Sequence, residues 1–177
     1  MKSWLSPAVV LALLPLSANA LTLTSPSLRD GGRLPLAQVL DHFGCTGANR
    51  SPALVWGDVP AGTKSFAVTL FDPDAPTGSG WWHWLLFDLP AATRGVAEGA
   101  ASHGLPAGAM EGRNDFGGAG YGGACPPPGP AHRYIFTLYA LDVAHLALGS
   151  DASGAMVAYQ ARAHSLGSAQ LTVRYGR

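Results

Sequence analysis

The sequence predicts a mainly β chain, folded as an antiparallel β-sandwich with few short helices, on three observations. Segments rich in aromatic and β-branched residues recur along the chain, 23 glycines and 14 prolines punctuate the stretches around them, and only one segment carries helical spacing. Short strands joined by turns, without alternating strand–helix units, favour a sandwich over a parallel sheet. With 177 residues, 47% hydrophobic and 12% charged, the chain can bury one sizeable core.

Residues 1–20 read as an export signal. Lys2 supplies a positive start, Leu5 to Leu16 is apolar, and Ala18, Asn19 and Ala20 form a small-x-small cleavage site. The apolar run is shorter than the roughly 20 residues that span a bilayer. The expected product is therefore a soluble exported domain, residues 21–177, periplasmic in a Gram-negative organism and secreted otherwise; an uncleaved anchor is the competing possibility. Without the signal, 10 basic and 11 acidic residues remain. The sequence shows no basic run or arginine-rich helix, so a nucleic-acid partner is not expected. Cys45 and Cys125 are the only cysteines. In an oxidising compartment they read first as one disulfide, with two buried thiols or a metal pair as alternatives.

Three segments read as central strands. In KSFAVTLFD, Phe66, Val68 and Leu70 alternate with Ala67, Thr69 and Phe71. In WWHWLLFDL, Trp81, His83, Leu85 and Phe87 take one face and Trp82, Trp84 and Leu86 the other; in HRYIFTLYAL, Tyr134, Phe136 and Leu138 alternate with Ile135, Thr137 and Tyr139. Both faces are largely apolar, the pattern of strands covered on both sides. The run Gly117 to Pro130 is a long turn-rich loop. A helix is expected after a cap at Ser150 or Asp151, with Ala155, Met156, Tyr159 and Ala163 near helical spacing and Gly167 as its stop. AQLTVRY reads as the last strand.

The polar residues that interrupt these segments are the candidates for chemistry. Asp72 and Asp74 lie just past a core strand, on a loop stiffened by Pro73 and Pro76, and continued extension would set both on one side. Asp residues beside proline also make ordinary turn bonds to the backbone. His83 sits inside an apolar strand and must find a hydrogen-bond partner; His132 begins the next one. GAGYGG, Gly118 to Gly123, matches dinucleotide-loop spacing, but CPPPGP cannot start the helix that such a site requires, so that reading is rejected. The chain also lacks a GxSxG elbow, an HExxH pair and a P-loop lysine.

VTLFDPDAPTGSGWWHW together with YGGACPPPGPAHRYIFTLYAL resembles the two signature regions of the phosphatidylethanolamine-binding protein family, in its bacterial Raf-kinase-inhibitor-like branch. LTLTSPSLRDGGRLP, CTGANRSPALVWGDVPAGTKSFAV and SGAMVAYQARAHSLGSAQLTVRY extend the resemblance over nearly the whole mature chain. It implies a sandwich built on a large central sheet, with a small surface pocket for phosphate-like anions and phospholipid headgroups. Asp72, Asp74, His83 and His132 match the family's pocket-lining positions, and Pro76, Trp81, Gly123, Pro126, Pro127 and Tyr134 fall on further ones.

Carboxylates are an odd lining for an anion site, because like charges repel. The expected resolution is that Asp72 and Asp74 orient the histidines and favour imidazolium, that His83 donates to the ligand, and that amides near Gly122 and Gly123 add donors. The expected partner is a small phosphorylated or carboxylated ligand, such as a lipid headgroup, with a protein partner in second place. No cofactor, metal ligand, catalytic residue or membrane span is assigned. The alternative is a hydrolase or metal-dependent enzyme using the same Asp/His pocket.

Overall fold

The protein is described by a computed structural model covering residues 20–177. The export-signal segment lies, but for Ala20, outside the described residues. Strand β3 (Ser65–Asp72) is buried at every position but Phe71, as a run apolar on both faces requires, and forms the middle of a five-stranded antiparallel sheet. Its neighbours are β4 (Trp81–Pro90) and β7 (His132–Leu141). The short β6 (Met110–Glu111) and the long β8 (Ser165–Tyr175) complete the order β6-β4-β3-β7-β8. A second sheet, in the order β1-β2-β5, consists of β1 (Thr22–Thr24), β2 (Leu54–Gly57) and β5 (Gly95–Val96).

The main core lies between the sheets. Leu23, Leu54 and Trp56 of the small sheet meet Phe66, Val68, Leu70, Phe136 and Leu138 of the large one, with the Trp56 and Phe66 rings 5.4 Å apart. The opposite face of the large sheet presents Ala67, Leu85, Phe87 and Tyr139, and helix α2 (Gly154–Ala163) covers it with Val157 and Ala161. A single-turn helix, α1 (Ala100–His103), lies between β5 and β6.

The expected helix exists with another cap. Ser153 caps it by accepting from Met156 N–H, and its buried residues are Gly154, Val157, Ala158 and Ala161. Met156 and Tyr159, two of the residues at helical spacing, are 46% and 69% exposed. Small residues face the sheet because the backbone comes close: a Cβ on Gly154 would collide with the Trp82 indole. Gly167 does not stop the helix. It lies inside β8, which begins at Ser165.

Strand β4 also departs from strict alternation. Leu70 pairs with Trp84 and Phe71 with Trp82, so His83 is an extra residue bulged out of the ladder. The bulge turns His83 onto the main-core side with Trp84, where it meets Tyr134, rather than onto the α2 side with Leu85 and Phe87. An imidazole is thereby delivered to the open end of the core.

Candidate functional site

Asp72 is the last residue of β3 and His132 the first of β7, and both are buried. The His132 Nδ1–H donates to Asp72 Oδ2 at 2.8 Å, while Asp72 Oδ1 accepts the backbone N–H of Asp74, also at 2.8 Å. One carboxylate therefore fixes an imidazole and closes the turn after its own strand. The bond leaves His132 Nε2 for the cavity that these residues line, a hollow of about 350 Å³.

His83 is held differently from the expectation. Its Nδ1–H donates to the Gly122 carbonyl at 2.8 Å, and its ring lies edge-on to Tyr134 and Phe116. Burial pushes its pKa below the ordinary 6.5, against the opposing pull of the Gly122 carbonyl and the Asp72 charge. A neutral ring with its proton on Nδ1 offers the cavity an acceptor at Nε2, not a donor.

Two residues of the cavity wall carry buried donors with no well-formed hydrogen bond among the described residues, Trp81 Nε1–H and the Tyr134 hydroxyl, the latter within electrostatic reach of Asp72. Burial first, and then the negative charge of Asp72, push the Tyr134 pKa up, so the phenol keeps its proton. Pro76, Pro126 and Pro127 form further wall. Eight of the ten sequence-derived residues thus come together: Asp72, Pro76, Trp81, His83, Pro126, Pro127, His132 and Tyr134.

Asp74 and Gly123 are not among the lining residues. Asp74 turns away at the Asx turn and binds Arg133 through both oxygens, at 2.9 and 2.7 Å, besides accepting the Arg133 backbone N–H at 2.8 Å. This guanidinium holds its carboxyl well down, at about 2. The amides expected to serve a ligand are also engaged: Gly122 N–H donates to His83 O and Gly123 N–H to Asn49 Oδ1. Gly123 is required for another reason. A Cβ there would stand 2.5 Å from Gln38 O and Leu40 N, so the two backbones can touch only at glycine.

The sequence reading missed Phe43, Asp115 and Phe116, which also line the cavity. Asp115 Oδ2 accepts the Trp82 N–H at 2.7 Å, and Phe116 meets the Trp81 ring edge-on at 5.3 Å. Asn114 bends this segment by accepting from Phe116 and Gly118 N–H; the NDFGG run was a legible turn signal. Cys45 and Cys125 form the disulfide that the export context suggested, with Cα atoms 5.9 Å apart. It ties the Phe43 loop to the Cys125–Pro127 wall. Among the described residues, no group of three or more His, Cys, Asp or Glu side chains is placed to hold a metal ion. None has a helix long and apolar enough to cross a membrane.

Comparison with known proteins matches this architecture. The chain is 52% identical over 155 residues to the Escherichia coli UPF0098 protein YbhB, covering 86% of this chain and 98% of that one. It is 46% identical over 174 residues to E. coli YbcL, covering 95% of each. The crystal structure of YbcL, described as a new member of the mammalian PEBP family, superposes with a TM-score of 0.88 over 90% of this chain and 99% of that one, at 45% identity. A Mycobacterium tuberculosis relative carrying the lipoprotein name LppC is 37% identical over 156 residues, covering 88% of this chain and 72% of that one. The family model described as phosphatidylethanolamine-binding protein matches residues 24–176. With the sandwich and its His/Asp cavity in place, the chain belongs to the phosphatidylethanolamine-binding protein family.

Proposed function

We propose that this protein is an exported binding protein whose cavity takes a phosphate-type anion, such as a phosphorylated headgroup. The observation that carries this reading is the pair of buried, unpartnered donors, Trp81 Nε1–H and Tyr134 O–H, in the same cavity as His132. A buried donor without a partner costs about 1–3 kcal/mol. A ligand oxygen that reaches both relieves that cost, and His132 Nε2 adds a third polar contact. Asp72 fixes the ring by its hydrogen bond and leaves Nε2 towards the cavity.

The acidic lining narrows the ligand. No Lys or Arg lines the cavity, whereas Asp115 does. A monoanionic or zwitterionic ligand suits this balance better than a highly charged one, and Asp115 supplies a carboxylate for the ammonium end of a headgroup such as phosphoethanolamine. Neutral His83 can accept from a ligand hydroxyl or a protonated phosphate oxygen. Export is supported by the signal-like residues 1–20, by the disulfide and by the lipoprotein name of one relative. An N-terminus at Leu21 in protein from the cell envelope or medium supports it; an intact Met1 there refutes it.

Calorimetry with phosphoethanolamine on chelator-treated protein tests the cavity. Tyr134→Phe, which removes only the hydroxyl, and His132→Ala should each weaken binding. Unchanged affinity in both would remove the site from this cavity. Binding that vanishes on chelation and returns with zinc would transfer the site to a metal-dependent enzyme, the competing reading of the same residues.

A further inference from the structure

Three exposed arginines distant in sequence are aligned across neighbouring segments at one end of the large sheet. Arg133 on β7 is opposite Arg174 on β8, and Arg174 is opposite Arg33, which joins the β8 edge through a parallel bridge. Leu34 N–H donates to Arg174 O and Arg174 N–H to Gly32 O, each at 2.8 Å. Residues directly opposite on neighbouring strands share a face, and like charges so placed destabilise each other. His132 and Tyr134 flank Arg133 in β7 and face the other way, into the cavity described above.

Only one end of the row is neutralised. Arg133 has the Asp74 carboxylate, whereas among the described residues neither Arg33 nor Arg174 forms an ion pair. Asp30, the acid nearest Arg33 in sequence, accepts the Thr172 backbone N–H instead. Arg33 rests over the Tyr175 ring, 5.8 Å from its centroid. Arg33 and Arg174 line a hollow of about 450 Å³ together with Arg177 and the bare backbone of Gly31, Gly32, Gly129 and Gly176. Gly31 keeps its part of this wall bare: its φ of +71° disfavours a side chain although the space is open.

We infer that this hollow is a second anion site, separate from the cavity, at which the forks of Arg33 and Arg174 hold a phosphate-type oxyanion. Neither Arg33 nor Arg174 is ion-paired among the described residues, although Asp74 shares a neighbouring hollow with Arg174, and their planar donors match the oxygens of an oxyanion. The glycine wall lets the anion approach the backbone. The phosphate can come from a soluble polyphosphate or from an anionic lipid surface, so the test has an arm for each.

The test uses amide NMR of the labelled exported protein at low salt, titrated with inorganic pyrophosphate. Shifts should centre on Gly31, Gly32, Arg174 and Gly176, and Arg33→Gln with Arg174→Gln should raise the apparent Kd about tenfold or more, the scale of losing charge-assisted bonds. That double variant should unfold no earlier than the parent, since it removes a like-charge contact, and should bind phosphoethanolamine in the cavity as before. Arg33→Lys with Arg174→Lys, which keeps charge and loses the forks, should fall between. Sedimentation with phosphatidylglycerol vesicles, against phosphatidylcholine, then assigns the source: selective binding that the double Gln variant loses supports a lipid phosphate, and pyrophosphate shifts without it support a soluble one. Resonances that pyrophosphate leaves unmoved, or moves equally in parent and double Gln variant, overturn the inference.

Discussion

Asp72 Oδ2 accepts the Nδ1–H of His132 at 2.8 Å, joining the last residue of β3 to the first of β7. Phe71 pairs with Ile135 one step inside, so the contact crosses two strands already fixed side by side. The ladder brings the carboxylate and imidazole together before any ligand arrives, and the ligand need not order them.

Replacing Asp72 by Asn keeps the size and loses the carboxylate that fixes the His132 ring. Affinity for phosphoethanolamine should fall by about ten- to a hundredfold, the worth of one charge-assisted bond at about 1.5–3 kcal/mol. Calorimetry reads this loss, and equal affinities in parent and variant would separate Asp72 from the site.

His83 makes acid sensitivity a property of the fold. Burial lowers its folded pKa below the unfolded value, so the unfolded chain takes up the proton first. Its contribution to stability is present above about pH 6.5 and is lost as pH falls below that value. The thermal midpoint should therefore fall more steeply between pH 7 and 5 in the parent than in His83→Gln. Parallel curves would contradict the burial argument.

The Asp74–Arg133 pair acts in a lower window. The folded pKa of Asp74 is depressed to about 2 by the Arg133 guanidinium, so the pair stabilises at neutral pH and is lost as pH falls from about 4 towards that value. Asp74→Asn should lower the thermal midpoint by a few degrees at pH 7 and make no difference once the parent carboxyl is protonated. Because Asp74 lies outside the cavity, anion affinity at pH 7 should be retained in the variant.

The Cys45–Cys125 bond joins residues 80 apart in the chain. Loop-closure entropy gives an upper contribution of about 4 kcal/mol. Reduction should shift the urea midpoint down accordingly, and the unreduced protein should take up no alkylating label. Two labelled cysteines without reductant would exclude the bond.

Gly123 tests packing against ligand binding. Its added Cβ in Gly123→Ala would press on the backbone at Gln38 and Leu40, costing about 1–3 kcal/mol as overpacking does. Thermal unfolding should register that loss. An unaltered midpoint with lost anion affinity would instead return Gly123 to the binding site.

The strand segments around Phe66, Trp84 and Phe136 were legible because burial on two faces writes itself into local composition, and the paired cysteines because the signal-like start implies an oxidising compartment. The pocket residues were legible through the resemblance to a family whose signature regions carry them. Tertiary structure decided what each one does. A single extra residue in β4 turned His83 to the core side, and the Gly122 carbonyl made its free nitrogen an acceptor. The Asx turn sent Asp74 to Arg133. Arg33, Arg133 and Arg174 became neighbours only when three strand segments aligned, which is why the sequence shows no basic cluster where the fold has one. The physical reason is range. Alternation and turn chemistry act over a few residues and can be read along the chain, whereas register, bulges and the choice of hydrogen-bond partner are set by groups that meet only after the chain has closed on itself.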